Sequence, residues 1–285
     1  MASLDLRPID EGSLQAALSL LGRGFSERTE ALWRSGLKKI LTTRSSCDPR
    51  PIGVIMTSEG KDIGILLTIP SQQSNDDGSV RNVVNLAAWY IDESHRWLAS
   101  RMLKKIVADD DAVFLDLTPS PASEIINRKL GFERLNDGFV IFLLLFTALR
   151  ARTNSKVLSF DQAGMRLAAF ERRTLEQHES LGCVVGVLRS EDRFSPLIFS
   201  RIKRRGLPGA RLILADSKAV VTNNLSAISS FLLRKRILFL RMDAKRSDLT
   251  AGSMASRWTE PTYIKGGRSS GRVDFTYSEF VFWET

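Results

Sequence analysis

A chain of 285 residues with 43 % hydrophobic and 26 % charged side chains has the make-up of a folded protein, long enough for one large domain or two ordinary ones. That balance excludes a disordered chain, and the longest apolar run, Gly138 to Leu149, falls short of the ~20 residues that a bilayer crossing needs. The net charge of +9 is uneven: residues 1–150 hold 18 Lys/Arg against 19 Asp/Glu, and residues 151–285 hold 23 against 13.

In chain order, Leu4 to Ile9 predicts a short opening strand, and Asp10 a cap for a helix carrying Leu14, Ala17, Leu18 and Leu21 at helical spacing. Gly22 and Gly24 end it. A second helix is expected over about 26–41, with Leu32, Trp33, Leu37 and Ile40 for a core. The period then changes to strand-like runs at 52–56 and 63–69, joined by the turn Ser58-Glu59-Gly60-Lys61. The polar stretch 72–79 reads as a flexible loop. Strand 83–91, helix 98–107, strand 112–117, helix 122–130 and strand 139–145 follow.

The second half repeats much of this order. An offset of 132 lays Ser190-Glu191 on Ser58-Glu59, 184–188 on 52–56 and 197–200 on 65–68. With drifting offset, 238–241 matches 113–116 and 279–283 matches 138–142. Ordered matches of this kind predict a duplicated unit, with a boundary at the polar, basic stretch 150–155: one domain over 1–150, a second and more basic one over 151–285. The alternative is one unit with an unrelated tail.

Two segments carry chemistry. Residues 89–103 (WYIDESHRWLASRML) run from a strand through a short loop into a helix, and a helix N-terminus offers unpaired N–H groups and a partial positive charge to an anion. Residues 127–133 (NRKLGFE) form a helix-to-strand turn. Both resemble segments of the GCN5-related N-acetyltransferase family, and the likeness covers most of 4–145. It implies an α/β (α+β) fold of two tandem units, each a mixed, mostly antiparallel sheet flanked by helices. It implies acetyl-CoA or another acyl-CoA as donor substrate, an amine as acceptor, and no metal. The acyl-CoA would lie against Ile91, Arg96, Trp97, Leu98, Ala99, Ser100, Arg101 and Asn127. The chain departs from the family in having no glycine between Arg96 and Leu103, where close backbone approach to phosphate favours one. It also has Asn127 where the family's acidic tyrosine stands, and an amide gives up no proton at neutral pH.

Acyl transfer to an amine needs a base for the amine, a donor to the thioester carbonyl and an acid for the thiolate. The base candidates are Asp92 and Glu93 at a strand end and His95 beside the loop, a residue type that titrates near neutral pH. Tyr90 and Ser123 are candidates for the acid, and Asp116 either approaches the amine or caps the turn at Thr118-Pro119. The second half lacks a comparable cradle at 215–224 and reads as a degenerate copy.

Two other readings stand beside the transferase. One is a fold that lost its chemistry and serves as a binding or regulatory module. The other uses the basic second half, with Arg201, Lys203, Arg204, Arg205 and Arg234 to Arg236, for an anionic partner such as nucleic acid; a solvated charged face is the plainer account of those clusters. No P-loop, dinucleotide fingerprint, HExxH or CxxC pattern occurs. Cys47 and Cys183 read as reduced thiols of a cytosolic protein, with a disulfide between them as the alternative, and residues 1–10 do not resemble a signal peptide.

Overall fold

The computed structural model describes residues 5–43, 50–74, 79–149, 154–248, 255–267 and 271–283. Cys47 lies outside them; Cys183 is a buried free thiol. The first half runs β1 (Asp5–Pro8), α1 (Leu14–Gly24), α2 (Glu30–Thr43), β2 (Gly53–Ser58), β3 (Lys61–Ser74) and β4 (Val80–Ile91). A 3-10 helix (Glu93–Leu98), α3 (Ala99–Ile106), β5 (Ala112–Asp116), α4 (Pro121–Lys129), β6 (Glu133–Asn136), β7 (Gly138–Leu143) and α5 (Leu144–Ala148) follow. The second half has β8 (Lys156–Leu158), α6 (Phe160–Ala163), α7 (Ala169–Ser180), β9 (Val184–Ser190), β10 (Arg193–Arg204) and β11 (Leu207–Ala215). It closes with α8 (Lys218–Asn223), α9 (Leu225–Arg234), β12 (Phe239–Ala244), β13 (Ala255–Arg257), β14 (Thr262–Lys265), β15 (Val273–Asp274) and α10 (Glu279–Phe282).

The helices form where the apolar spacing places them. In α1, Ala17, Leu18, Leu20 and Leu21 are buried, and Asp10 and Ser13 bond each other's backbone N–H ahead of the first turn (2.8 and 2.9 Å). Trp33, Leu37 and Ile40 of α2 pack on the same sheet face. The hairpin turns of both halves use left-handed residues, Glu59 and Gly60 in one and Glu191 in the other, as tight two-residue turns require. Of the polar stretch 72–79 expected to be a loop, 72–74 instead extend β3, which pairs with β4 from Gly64↔Ile91 out to Ser74↔Val80, and 75–78 lie outside the described residues.

Two sheets result, each mixed and flanked by helices. One has the order β1-β2-β3-β4-β5-β14-β6, the other β13-β7-β12-β11-β10-β9-β8. Within each, a single neighbouring pair is parallel, β4 with β5 and β11 with β12. The expected matches of β2 with β9, β3 with β10 and β5 with β12 hold in this order. The match of 279–283 to 138–142 does not: 279–282 is the short helix α10, and the strand equivalent to β7 is β14. A five-residue apolar run carries no period long enough to separate helix from strand.

The halves divided at residue 150 each lend a strand to the other's sheet. β7 leaves β6 through Asp137 and pairs with β12 and β13, while β14 inserts between β5 and β6. The crossing is tight, since a Cβ on Gly138 would lie 1.9 Å from the carbonyl oxygen of Arg257. Tyr263 and Ile264 of β14 are buried, one beneath α3 and α4 and the other in the large core shared with the second sheet. Burial of two such side chains contributes about 3–6 kcal/mol, comparable to a whole domain's net stability. A fragment of residues 1–149 is therefore expected to give no cooperative thermal unfolding by circular dichroism, and co-expression with 150–285 to restore it.

Candidate functional site

The site starts at a defect in β4. Leu66 faces Trp89 across the β3/β4 ladder and Leu67 faces Ala87, so Ala88 is an extra residue, and its φ of 42° is left-handed. Such a bulge bends its strand and frees backbone groups from the ladder. On the other side, β4 pairs with β5 only from Asn82↔Ala112 to Leu86↔Asp116. β5 ends at Asp116 while β4 runs on, so among the described residues Ala87 to Ile91 meet no strand on the β5 side, and the chain that follows β5 leaves a space beside them. Strand ends of this kind are where open α/β sheets hold ligands. A cavity of about 140 Å³ occupies the opening, lined by Phe25, Leu86, Ala88, Trp89, Asp116 and Ser123 among others.

The segment after β4 differs from an open anion cradle. It is a 3-10 helix that runs directly into α3, with the His95 N–H on the Asp92 carbonyl (2.9 Å) and the Ala99 N–H on the Arg96 carbonyl. Backbone donors that would face a phosphate are committed within the helix. The missing glycines account for this, since no residue of Arg96–Leu103 opens the turn without strain. Leu98 and Ile91 are buried under the sheet. Arg96 pairs with Glu93 at 3.2 Å on the surface, Trp97 is 70 % exposed, and Ser100 and Arg101 are exposed beside the partly buried Ala99.

The sequence-nominated acid and base residues fall into separate groups. Tyr90 donates its hydroxyl to Asp92 (2.7 Å), and Arg23 pairs with that carboxylate at 3.0 Å. The bond to Asp92 raises the Tyr90 pKa above its ordinary value. Glu93 is engaged with Arg96, and His95 touches the Ser94 hydroxyl at 2.9 Å. None of the four lines the cavity. Asn127 is fully buried and donates its amide to Asp116 (2.8 Å). Of the groups considered from the sequence, the structure brings Asp116, Ser123 and Asn127 to this opening.

Glu279 is a buried site residue that no local sequence pattern marks. From the first turn of α10 it reaches back into the first sheet, where Asn85 of β4 donates to one carboxylate oxygen and Thr118, just beyond β5, donates to the other (3.1 Å). Burial pushes Glu279 up to about 7, against the Asn85 hydrogen bond; the Asp116 charge raises it further and Arg211 opposes. Burial likewise pushes Asp116 up to about 6, against its bonds from Asn127 and the Thr118 backbone. Two carboxylates titrating near neutrality, one lining the cavity and the other tied to a lining threonine, are equipped to exchange protons with an amine. In the sequence it shows only as a lone carboxylate at the head of an apolar run, Glu279-Phe280-Val281-Phe282-Trp283.

Glu279 is held there by the segment around it. His178 is buried and neutral: Nδ1–H donates to the Thr174 carbonyl (2.7 Å), and Nε2 accepts from the Tyr277 N–H (3.1 Å). Burial lowers its pKa to about 4. The bond secures Tyr277 at its left-handed φ of 55°. Trp283 inserts against Trp33 (ring centroids 5.4 Å apart) over Gly36, where a Cβ would meet the indole nitrogen at 2.0 Å.

In the second sheet the equivalent opening is filled. β11 pairs with β12 only at Gly209 to Arg211, and beyond it Leu214 and Ala215 pair with β15. The Phe275 N–H on the Ile213 carbonyl completes that patch. The protein's own chain lies where the first sheet leaves space.

No family model matches the chain, and no curated protein matches it in sequence. Solved structures do. The chain is similar to a GCN5-related N-acetyltransferase from Anabaena variabilis (TM-score 0.56, 14 % identity, 92 % of this chain and 72 % of that one). It is similar to another from Kribbella flavida (TM-score 0.53, 13 % identity, 92 % and 71 %). A candidate acetyltransferase from Pyrococcus horikoshii matches over 99 % of this chain and 96 % of its own (TM-score 0.55, 10 % identity). At these identities the likeness is one of fold: the chain has the GCN5-related N-acetyltransferase fold, in two units.

The raised carboxylates set a pH dependence. Each holds its proton more tightly in the folded chain than in the unfolded one, so stability declines as pH rises from about 4 through about 7. Glu279→Gln is expected to remove about 2–3 kcal/mol of that decline, read as the change in urea midpoint between about pH 5 and about pH 8. An unchanged slope would show that Glu279 titrates normally.

Proposed function

We propose that the chain is an acyl-CoA-dependent N-acyltransferase whose site is the opening between β4 and β5 in the first sheet. The observation that carries this reading is the pair of features at one point, the bulge at Ala88 and the run of β4 past the end of β5 at Asp116. The edge of Ala87–Ile91 on the β5 side, opposite the one paired with β3, suits an extended amide-bearing chain such as pantetheine, which would complete the ladder as a strand does. Backbone N–H groups at the bulge would face the thioester oxygen. Asp116 at the cavity wall, or Glu279 relayed through the Thr118 hydroxyl, would take the proton of the acceptor amine as the nitrogen attacks the carbonyl carbon; the C–S bond breaks, and the thiolate takes a proton from water, directly or through the Ser123 hydroxyl, which water reprotonates. With the backbone donors of the 3-10 helix committed, the donor's phosphates would be held by the side chains of Arg96 and Arg101, with Trp97 exposed between them. The second unit, its opening filled by β15, serves as scaffold and donor of β14 and Glu279.

Calorimetry with acetyl-CoA tests this, with a dissociation constant of about 1–100 µM expected. Absence of both heat and thermal shift would discard the reading. Glu279→Gln should lower kcat by about 10²–10⁴ with donor binding unchanged, when turnover is measured on a panel of amines. Arg96→Gln combined with Arg101→Gln should weaken acetyl-CoA by about tenfold yet leave acetyl-pantetheine unaffected, since the latter has no pyrophosphate.

One observation favours a second reading, a binding protein without turnover: the closed 3-10 helix together with Asn127, whose amide is spent on Asp116. Donor binding by calorimetry without acylation of any amine would select it.

A further inference from the structure

The face of the second sheet opposite Val140, Phe142 and Leu240 carries a pocket of about 230 Å³ that neither reading of the cleft uses. Its floor is aromatic. Phe139, Ile141 and Phe239 form a separate apolar cluster there, and the tip of the Phe239 ring lies against Gly209, where a Cβ would meet it at 2.1 Å. The walls are cationic: Lys203, Arg204, Arg211, Arg241 and Arg257 line the pocket.

Those cations are short of counter-charge. Asp243 is shared between Arg211 and Arg241, and Glu260 between Arg241 (2.8 Å) and Arg257 (3.4 Å). Lys203 and Arg204 pair with no carboxylate among the described residues, and the buried Arg211 keeps an Nε–H without a partner. The guanidinium of Arg241 lies 3.8 Å above the Phe139 ring and that of Arg204 5.9 Å from it, so the aromatic surface holds the cations over the concavity. A solvated charge run fans outward; here five cations and two carboxylates meet around an apolar floor.

We propose that this pocket binds a small aromatic anion, a flat ring bearing a phosphate or carboxylate, with the ring against the Arg241 guanidinium that stacks on Phe139 and the anion among Lys203, Arg204 and Arg257. An anion relieves the mutual repulsion of the cations, and the ring removes apolar surface from water. The assignment stands apart from the acyltransferase reading and uses none of its residues.

Calorimetry with phenyl phosphate, in parallel with inorganic phosphate, tests it. Phenyl phosphate is expected to saturate a single site about tenfold more tightly than inorganic phosphate, the gain from burying the ring, and to weaken with added salt. Lys203→Gln combined with Arg204→Gln should weaken it by at least about tenfold; both side chains are exposed, so folding is spared. Arg234→Gln combined with Arg236→Gln, in a basic cluster elsewhere, should change nothing. No saturation up to about 10 mM, equal loss in both double variants, or equal affinity for the two phosphates would each overturn the proposal.

Discussion

Neither sheet is complete without a strand from the other half of the chain, and the site depends on that constraint. β14 wedges between β5 and β6 and fixes the outer side of β5, whose inner side pairs with β4 until β5 ends at Asp116 and β4 runs on past it. The overrunning stretch of β4, Ala87 to Ile91, stays paired to β3 along its other edge, so its backbone groups on that side remain satisfied. The same exchange brings the last stretch of chain back across the first sheet, and with it Glu279.

Burying that carboxylate is expensive in isolation, and the surrounding residues show how the fold tolerates it. Asn85 and Thr118 satisfy its oxygens, and Arg211 lies close enough to oppose its rise in pKa. Arg211 is itself buried against Asp243, with its guanidinium over the Phe280 ring. Glu279 and Phe280 are consecutive, so one turn of helix contacts both sheets' polar centres. His178 closes the arrangement from the α7 side through the Tyr277 backbone, and it does so only while neutral. The two pH responses have opposite signs: the His178 contribution fades as pH falls from the ordinary 6.5 toward about 4, where the buried carboxylates are protonated and at ease. Stability is thus bounded on both flanks by groups that anchor the same dozen residues.

Much of this architecture was legible beforehand, for identifiable reasons. The alternation in 52–69 and its echo in 184–200 come from half-buried antiparallel strands, whose period of two survives in single sequences. The helical spacing of Leu14 to Leu21 and of Trp33 to Ile40 marked the two helices on one face of the first sheet. β14 escaped because four residues, Thr262 to Lys265, are too short for a period, and their partners are set by topology. The 89–103 segment is half visible: its lack of glycine stands in the sequence, and the structural meaning of that lack is a 3-10 helix closing the turn. Asp92 and His95 attracted notice because they sit beside a recognisable loop. Asp116 and Glu279 matter through burial, and burial of a polar side chain at the meeting of two sheets has no local signature.

The order of synthesis gives the exchange of strands a temporal meaning. Proteins emerging from the ribosome usually settle from the N-terminus onward. Here the leading half must wait, with an open β5 edge, for a partner encoded near the trailing end, and pairings so distant along the chain form late. An interrupted translation product would carry the Ala88 bulge but lack both the β14 wedge beside β5 and the Glu279 carboxylate of α10.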